Sequence, residues 1–542
     1  MTDRCFRLAL AQTNPSLGDV AGNAALVRAA RASAAAAGAD LVLFPDAVLA
    51  GGAPGGLAGR PAFLDACRRA CEELARETAD GGPALLVGLP WVEGGALYEA
   101  QALLDGGVIQ AVRFKTRTGG AGAGAFQPGP LPGPVPFRGL LRLGLVLGED
   151  LADEEVPECL AETGAELLLA CDAAVYRRGG ADRRLNRAVA RVVETGLPLV
   201  WLNAVGAHAA GVCDGASFVL AADRSLTHQL PAFREALVVT QWSRRGGIWV
   251  SDPGQVAAVE TGDEADYAAC MLGLREHAGF TRSTGVVVEL SGTAGAICAA
   301  MAVDALGPEW VEAILLAGGG PGQVAAADDA TAIAAALGLS ARTISLSGFI
   351  GALDEALPAS DAQAAPVRLG VARAALLSAL ARGMGRSLLA PAPRFAASGE
   401  VAVIGDLNPL GDLSPAEIGR LLELRRGWKP EGALGPDRLL LPALPIAPEE
   451  LRRDAILSAL AAGQRIAEIV AAGHDAVTVM ALQEEFCSAA DPRRAAPRIR
   501  LTDGPEDTPV LQGFVDRGEP AHEPDAALVR GVGRSGGESI DF

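Results

Sequence analysis

Residues 141–150 read LRLGLVLGED, an apolar run that stops at Gly148 and gives way at once to two acids. A strand this apolar is buried on both faces, so helices must cover the sheet it belongs to. The same kind of segment recurs on either side, at 6–11, 39–44 (closed by Pro45), 84–90, 102–114, 166–173, 197–206 and 216–225. Between them, the Ala-rich stretch 20–37 and residues 64–77 have the composition of helices. Strands and helices in this alternation predict an α/β unit over the first 250 residues.

A second unit starts beyond 251–267 (SDPGQVAAVETGDEADY), a turn-rich acidic stretch that reads as a linker. It opens with a helix through 272–277, followed by a strand at 284–292 (TGVVVELSG), a glycine-containing turn and a helix through 297–306. A strand at 311–318 and helices near 325–337 and 365–382 complete a βαβ order. That order implies a parallel sheet with ligands at the carboxyl ends of its strands. The expected division is 1–250, the linker 251–267, a second domain at 268–502, and a tail at 503–542. The tail is rich in Gly, Pro, Asp and Glu and reads as extended or disordered.

Composition bounds the function. At roughly 100–200 residues per domain, 542 residues hold two to four domains. Lys+Arg 46 against Asp+Glu 65 give a net charge of −19 and a pI near 4.8, which disfavours nucleic acid and anionic membranes as partners. The nine cysteines are scattered and never take the paired spacing of a zinc or thioredoxin-type site, so they read as reduced, buried hydrophobes. Five dispersed histidines suggest no metal cluster, and His474 reads as a helix-end residue. No signal-peptide pattern opens the chain and no stretch has the ~18 uncharged apolar residues of a membrane helix, so a cytoplasmic protein is expected. The acidic run from Glu149 to Glu155 reads as a solvated turn, and Gly318 to Gly322 as a flexible one. Apolar strands throughout and a mean hydropathy of +0.26 suggest further burial between subunits, hence a homo-oligomer.

Ordered stretches carry a resemblance. They are LALAQTNPSLGDVAGN (8–23), GADLVLFPD (38–46), GRPAFL (59–64), ETGLPLVWLNAVG (194–206) and DGASFVLAADRS (214–225), then LGLREHAGF (272–280), VVVELSG (286–292), AAMAVDALG (299–307) and IAEIVAAGHDAVTV (466–479). The first unit resembles the nitrilase-type amidase domain, and the chain to about Thr502 resembles the glutamine-dependent NAD synthetase family. The resemblance implies a nitrilase-like αββα sandwich followed by a Rossmann-like parallel-sheet domain of the adenine-nucleotide α-hydrolase type. It also implies a glutamate base, a lysine for the developing oxyanion and a cysteine nucleophile, because attack on an amide needs an activated thiolate and charge stabilisation together. Here those positions hold Asp46, Lys115 and Gly148. Aspartate withdraws the carboxylate by about one C–C bond, ~1.5 Å, and a misplacement of ~1 Å can cost about a hundredfold. Glycine cannot form an acyl-enzyme, and loss of a nucleophile costs on the order of 10⁶ in rate. Cys159 and Cys171, the nearest in sequence, read as packing residues.

In the second unit, relatives carry a Ser-Gly-Gly-x-Asp-Ser loop whose backbone N–H groups and helix N-terminus hold the pyrophosphate of ATP. This chain has Ser291-Gly292-Thr293-Ala294-Gly295-Ala296 there, and 390–396 (APAPRFA) in place of a Thr-Thr-Gly-Asn-Lys-Ser-Glu segment. Of the acidic metal-binding neighbourhood only Gly405-Asp406 remains, and Arg368 and Arg373 on the preceding helix read as a solvated face. Lys115 and Lys429 are the chain's two lysines, so the lysines that relatives place around triphosphate are absent. Both sites thus read as vestigial: Asp46, Lys115 and Gly148 in the first unit, Ser291, Gly292, Thr293, Gly295 and Asp406 in the second. The expectation is a non-catalytic structural, regulatory or assembly protein without cofactor or metal, partnered by its own copies or other proteins. Two alternatives stand beside it. One is an ammonia-dependent ligase that amidates deamido-NAD with ATP and magnesium through a divergent loop; the other is a small-molecule sensor using a vacated pocket.

Overall fold

The structure, a computed structural model, describes residues 5–118, 125–208, 211–317, 323–356, 364–394, 405–442, 444, 446–488, 499 and 501. The tail 503–542 and the run Gly318 to Gly322 lie outside these residues. Two compact units divide between Glu260 and Thr261.

The first unit contains two large sheets. One takes β1 Cys5–Gln12, β2 Leu41–Leu43, β3 Ala84–Glu93, β4 Ala96–Asp105, β5 Val108–Phe114, β14 Ala236–Arg245 and β15 Ile248–Ser251, in the order β15-β14-β1-β2-β3-β4-β5. The other takes β6 Val135–Phe137, β7 Leu141–Leu147, β8 Leu167–Asp172, β9 Leu199–Asn203, β12 Phe218–Leu220 and β13 Leu226–Gln229, in the order β13-β12-β9-β8-β7-β6. A small ribbon pairs β10 Val205–His208 with β11 Gly211–Asp214. The period of two decides the layers. In β1, Leu8 and Leu10 face Leu145, Leu169, Val200 and Trp242 of the inter-sheet core, while Ala9 and Ala11 face the other way, toward Val27 and Leu74. Those belong to α1 Val20–Ala36 and α2 Pro61–Glu77, which cover the first sheet. α2 buries Phe63, Cys67, Ala70, Cys71 and Leu74, a three-and-four spacing that makes one apolar stripe. On the far side, α3 Glu155–Glu162 and α4 Gly180–Thr195 set Val156, Leu160, Ala188 and Val192 against Leu168 and Trp201. The result is an αββα sandwich.

Three strand readings need correction, and 197–206 is the first: it breaks at Ala204 between β9 of the large sheet and β10 of the ribbon. Residues 102–114 form two strands, because Gly106 (φ +61°) and Gly107 (φ +85°) supply the left-handed pair of a tight hairpin. Residues 216–225 hold strand only at β12, since the Asp223 side chain captures the Ser225 N–H at 2.9 Å and turns the chain.

In the second unit β16 Val286–Glu289, β17 Val311–Ala317, β18 Ala341–Ser345 and β19 Ser387–Leu388 form one parallel sheet, ordered β18-β17-β16-β19. α5 Gly262–Thr281, α6 Gly292–Leu306, α7 Gln323–Ala336, α8 Ser347–Ala356 and α9 Ala364–Gly383 alternate with these strands, and α10 Pro415–Gly427, α11 Pro448–Ala461, α12 Ile466–Ala471 and α13 Ala476–Ser488 follow. Three helices are tied at depth: Arg425 of α10 reaches both Asp304 oxygens (Nε 2.7 Å, Nη2 2.9 Å), and Tyr267 of α5 donates its hydroxyl to Asp304 at 2.6 Å. Among the described residues no helix is long and apolar enough to cross a membrane.

Candidate functional site

Strand ends build the first site. Asp46 follows β2, Lys115 follows β5, Gly148 follows β7 and Asp172 closes β8, so the first sheet contributes the first two and the second sheet the other two. A hydrogen bond from Asp46 N to the Asp172 carbonyl, 3.3 Å, ties the sheets together at this point. Glu99, from β4, and Glu149, the residue after Gly148, complete the cluster: Lys115 Nζ lies 2.9 Å from Glu99 Oε2 and also pairs with Glu149. Asp46, Lys115 and Gly148 are therefore brought together as expected.

Charge is crowded here. Burial, reinforced by Glu99, pushes the Asp46 carboxyl up to about 8. Burial, reinforced by Glu149, likewise raises Asp172 to about 6. Burial works against the Lys115 ammonium, but Asp46, Glu99 and Glu149 outweigh it and hold the pKa well above the lysine range. Lys115 therefore stays charged. The solvated-turn reading fails at Asp150, which is 1% exposed and accepts the Thr116 and Arg117 N–H groups at 2.9 and 2.7 Å; Glu149 is exposed, as read, but pairs with Lys115. Asp150 thus fixes the backbone immediately after the lysine.

Gly148 occupies the elbow at φ +50°, in the left-handed region. A Cβ built there would lie 3.1 Å from Lys115 Nζ and 3.8 Å from Asp172 Oδ1, so the position faces the lysine with no side chain to offer. Neither nearby cysteine fills the role. Cys171 points into the inter-sheet core, takes a hydrogen bond from Gln101 at 3.4 Å and has its thiol pushed well above the usual range by burial; Cys159 lies half-buried on α3. The cluster can hold polar groups and protons but contains no acyl acceptor.

The second site lies where the strand order reverses. β17 and β18 extend from β16 on one side and β19 lies on the other, so the crevice at the carboxyl ends of β16 and β19 is the switch point of the sheet. Ser291, extended, and Gly292, at φ +58°, turn the chain from β16 into α6. Here the retained pair does what the sequence suggests, and its surroundings differ. A Cβ at Gly295 would fall 2.7 Å from the Glu289 carbonyl, leaving no room for the relatives' aspartate without a backbone shift. Arg373 of α9 does not stand free in solvent but pairs with Glu289 at 2.8 Å; the Arg368 side chain lies outside the described residues. Asp406 accepts the Leu388 N–H at 2.8 Å and so braces β19. Arg394 donates to Ser458 at 3.1 Å. No three His, Cys, Asp or Glu side chains converge to hold a metal among the described residues, and the groups at this crevice do not form a magnesium cage.

Glu99, Asp172 and Glu289 escaped the sequence reading, and Glu149 was read without its partner Lys115. Their only signal is position: each lies at or beside a strand end or on a strand facing the site, and none carries a local motif.

Comparison with known proteins accords with this geometry. The carbon-nitrogen hydrolase family model matches residues 7–245 and the NAD synthase model residues 267–386. A protein of Rhodobacter capsulatus named glutamine-dependent NAD(+) synthetase is 35% identical over 93% of this chain and 96% of its own length. One of the same name from Synechocystis is 26% identical over 95% of this chain and 100% of its own. The solved glutamine-dependent NAD+ synthetase of Acinetobacter baumannii, in complex with ADP, superposes with a TM-score of 0.76 at 22% identity, covering 95% of this chain and 100% of that one, a likeness of fold. With both of its units matched in order and a 35% identical relative aligned over nearly its whole length, the chain belongs to the glutamine-dependent NAD synthetase family.

Proposed function

We propose that this chain catalyses the amidation for which its relatives are named, with free ammonia as nitrogen source, and that its first unit does not hydrolyse glutamine. Gly148 carries the second half of that statement: the elbow faces Lys115 without a nucleophilic atom, and no thioester can form. The first half is supported by the full-length relatives and by the Ser291-Gly292 turn at the switch point of the sheet. In this reaction the carboxylate of deamido-NAD would attack the α-phosphorus of ATP and expel pyrophosphate, and ammonia would then attack the acyl adenylate, lose a proton and displace AMP. The backbone amides opening α6 would meet the phosphates. Magnesium, with no cage of side chains to receive it among the described residues, is assigned no step.

A non-catalytic role is the second reading, and one observation favours it: the carboxylates at the crevice are already engaged, Asp406 by the Leu388 N–H and Glu289 by Arg373. One assay separates the two. The purified chain is given Mg-ATP and deamido-NAD with either ammonium chloride or glutamine. NAD formed from ammonium but not from glutamine supports the ligase; NAD from glutamine refutes the loss of the amidase; NAD from neither establishes the non-catalytic reading.

A further inference from the structure

Residues 177–191 carry six arginines against one acid, Asp182, in a chain whose net charge is −19. Two of the six converge. A Cβ built on Gly180, the buried first residue of α4, would lie 3.3 Å from Arg184 Nη1 and 4.0 Å from Arg183 Nη2, so both guanidinium groups border the hollow that this glycine leaves. Both are held in place. Arg184, 9% exposed, lies over the Trp201 ring at 5.0 Å and gives Nη2 to Asp214, whose other oxygen accepts from Asn203 Nδ2 at 3.1 Å. Arg183 Nη1 donates to the Arg178 carbonyl at 3.1 Å.

The charge at this hollow is not balanced. Arg184 Nε is buried without an acceptor, and among the described residues neither Arg183 nor Arg187 pairs with an acid, the exposed Asp182 included. Two cations facing one hollow repel each other, and an anion between them would turn that repulsion into attraction. We infer that the hollow at Gly180 is an anion site with Arg183 and Arg184 as its prongs, and that its ligand is phosphate, free or as the phosphoryl group of a small metabolite. A dianion matches two cations, and its three or four terminal oxygens can accept from two separate guanidinium groups at once. The N-terminal end of α4, which has no side-chain cap at Gly179, adds its positive dipole to a pocket the arginines already make. The site belongs to the first unit and needs none of the chemistry proposed for the second.

Inorganic phosphate and glycerol 3-phosphate are titrated calorimetrically at constant ionic strength into the full-length wild type, Arg183→Gln, Gly180→Ala and Arg187→Gln, and the melting temperature of each is recorded. Arg183→Gln should weaken binding about tenfold, the share of one charge-assisted hydrogen bond. Gly180→Ala should weaken it comparably by filling the hollow, while melting close to wild type, because alanine is the better helix former. Arg187→Gln, one turn further along α4 with the same loss of charge, should bind as wild type does. Tighter binding of glycerol 3-phosphate than of phosphate assigns the site to a phosphorylated metabolite, and the reverse order assigns it to free phosphate. No saturable binding of either probe by the wild type overturns the site. So does binding that Arg183→Gln and Gly180→Ala leave unchanged, or equal weakening by Arg183→Gln and Arg187→Gln, the mark of a diffuse field.

Discussion

Gly148→Cys returns a thiol to the first site and is expected not to return the reaction. The new residue inherits φ +50°, a region that costs a side-chain-bearing residue roughly 1–2 kcal/mol. Its Cβ sits 3.1 Å from Lys115 Nζ and 3.3 Å from Lys115 Cε, closer than ordinary contact, and the ammonium cannot swing away freely because Glu99 and Glu149 hold it. Burial beside Asp46, Asp172 and Glu149 works against the thiolate. The base remains one bond too short, a defect of about a hundredfold. The variant should therefore melt roughly 2–8 °C below wild type and hydrolyse glutamine at least about a hundredfold more slowly than Gly148→Cys combined with Asp46→Glu. Ammonium release from glutamine measures the rates, and mass spectrometry after a glutamine-like electrophile measures the covalent adduct. Equal turnover by the single and double variants would refute the reasoning, as would labelling of the unaltered chain at Cys171 or Cys159.

Three further outcomes are expected. Asp46, raised from 3.8 to about 8, binds its proton more tightly folded than unfolded, so stability falls as pH rises through that interval; Asp46→Asn should remove the slope and gain on wild type between pH 5 and 8 in thermal scans, and a constant difference would count against it. Arg425→Met leaves Asp304 and Tyr267 buried without their cation, which should cost about 3–5 kcal/mol in denaturant unfolding, partly recovered by adding Asp304→Leu; a loss under 1 kcal/mol would contradict the assignment. Light scattering should give at least twice the 55.1 kDa chain mass, and a stable monomer on dilution would overturn the expected self-association.

The strands were legible because burial on both faces writes itself as uninterrupted Leu, Val and Ala, and the βαβ order of the second unit because helix and strand signals alternate there. Gly148 was legible too, since an apolar run ending in Gly-Glu-Asp marks one turn. Its neighbours were not. Lys115 meets Glu99 across a hairpin and Glu149 across the gap between sheets, contacts that local periodicity cannot encode. Asp150 read as solvent-facing because acids usually are, and only two backbone N–H groups explain its place inside; Glu149 does face solvent, and what the sequence hid is its reach to the buried lysine. Asp406 read as a vestige of a metal-binding neighbourhood because its partner, the Leu388 N–H, carries no side-chain signature.

The shortness of β19 bears on how the second unit comes together in time. β16 pairs with β17 about 25 residues on, but with β19 only after about 100. At about 0.6 kcal/mol per doubling of loop length, closing the longer loop costs about 1.2 kcal/mol more, and two residues of ladder give little in return. The β16–β17–β18 core should form first and the β19 wall should dock late, with the Asp406 brace in place only near the end. Substitutions at Asp406 or Leu388 should then hasten unfolding while leaving the folding rate nearly unaltered, so the crevice would be the first part of this unit to open and the last to close.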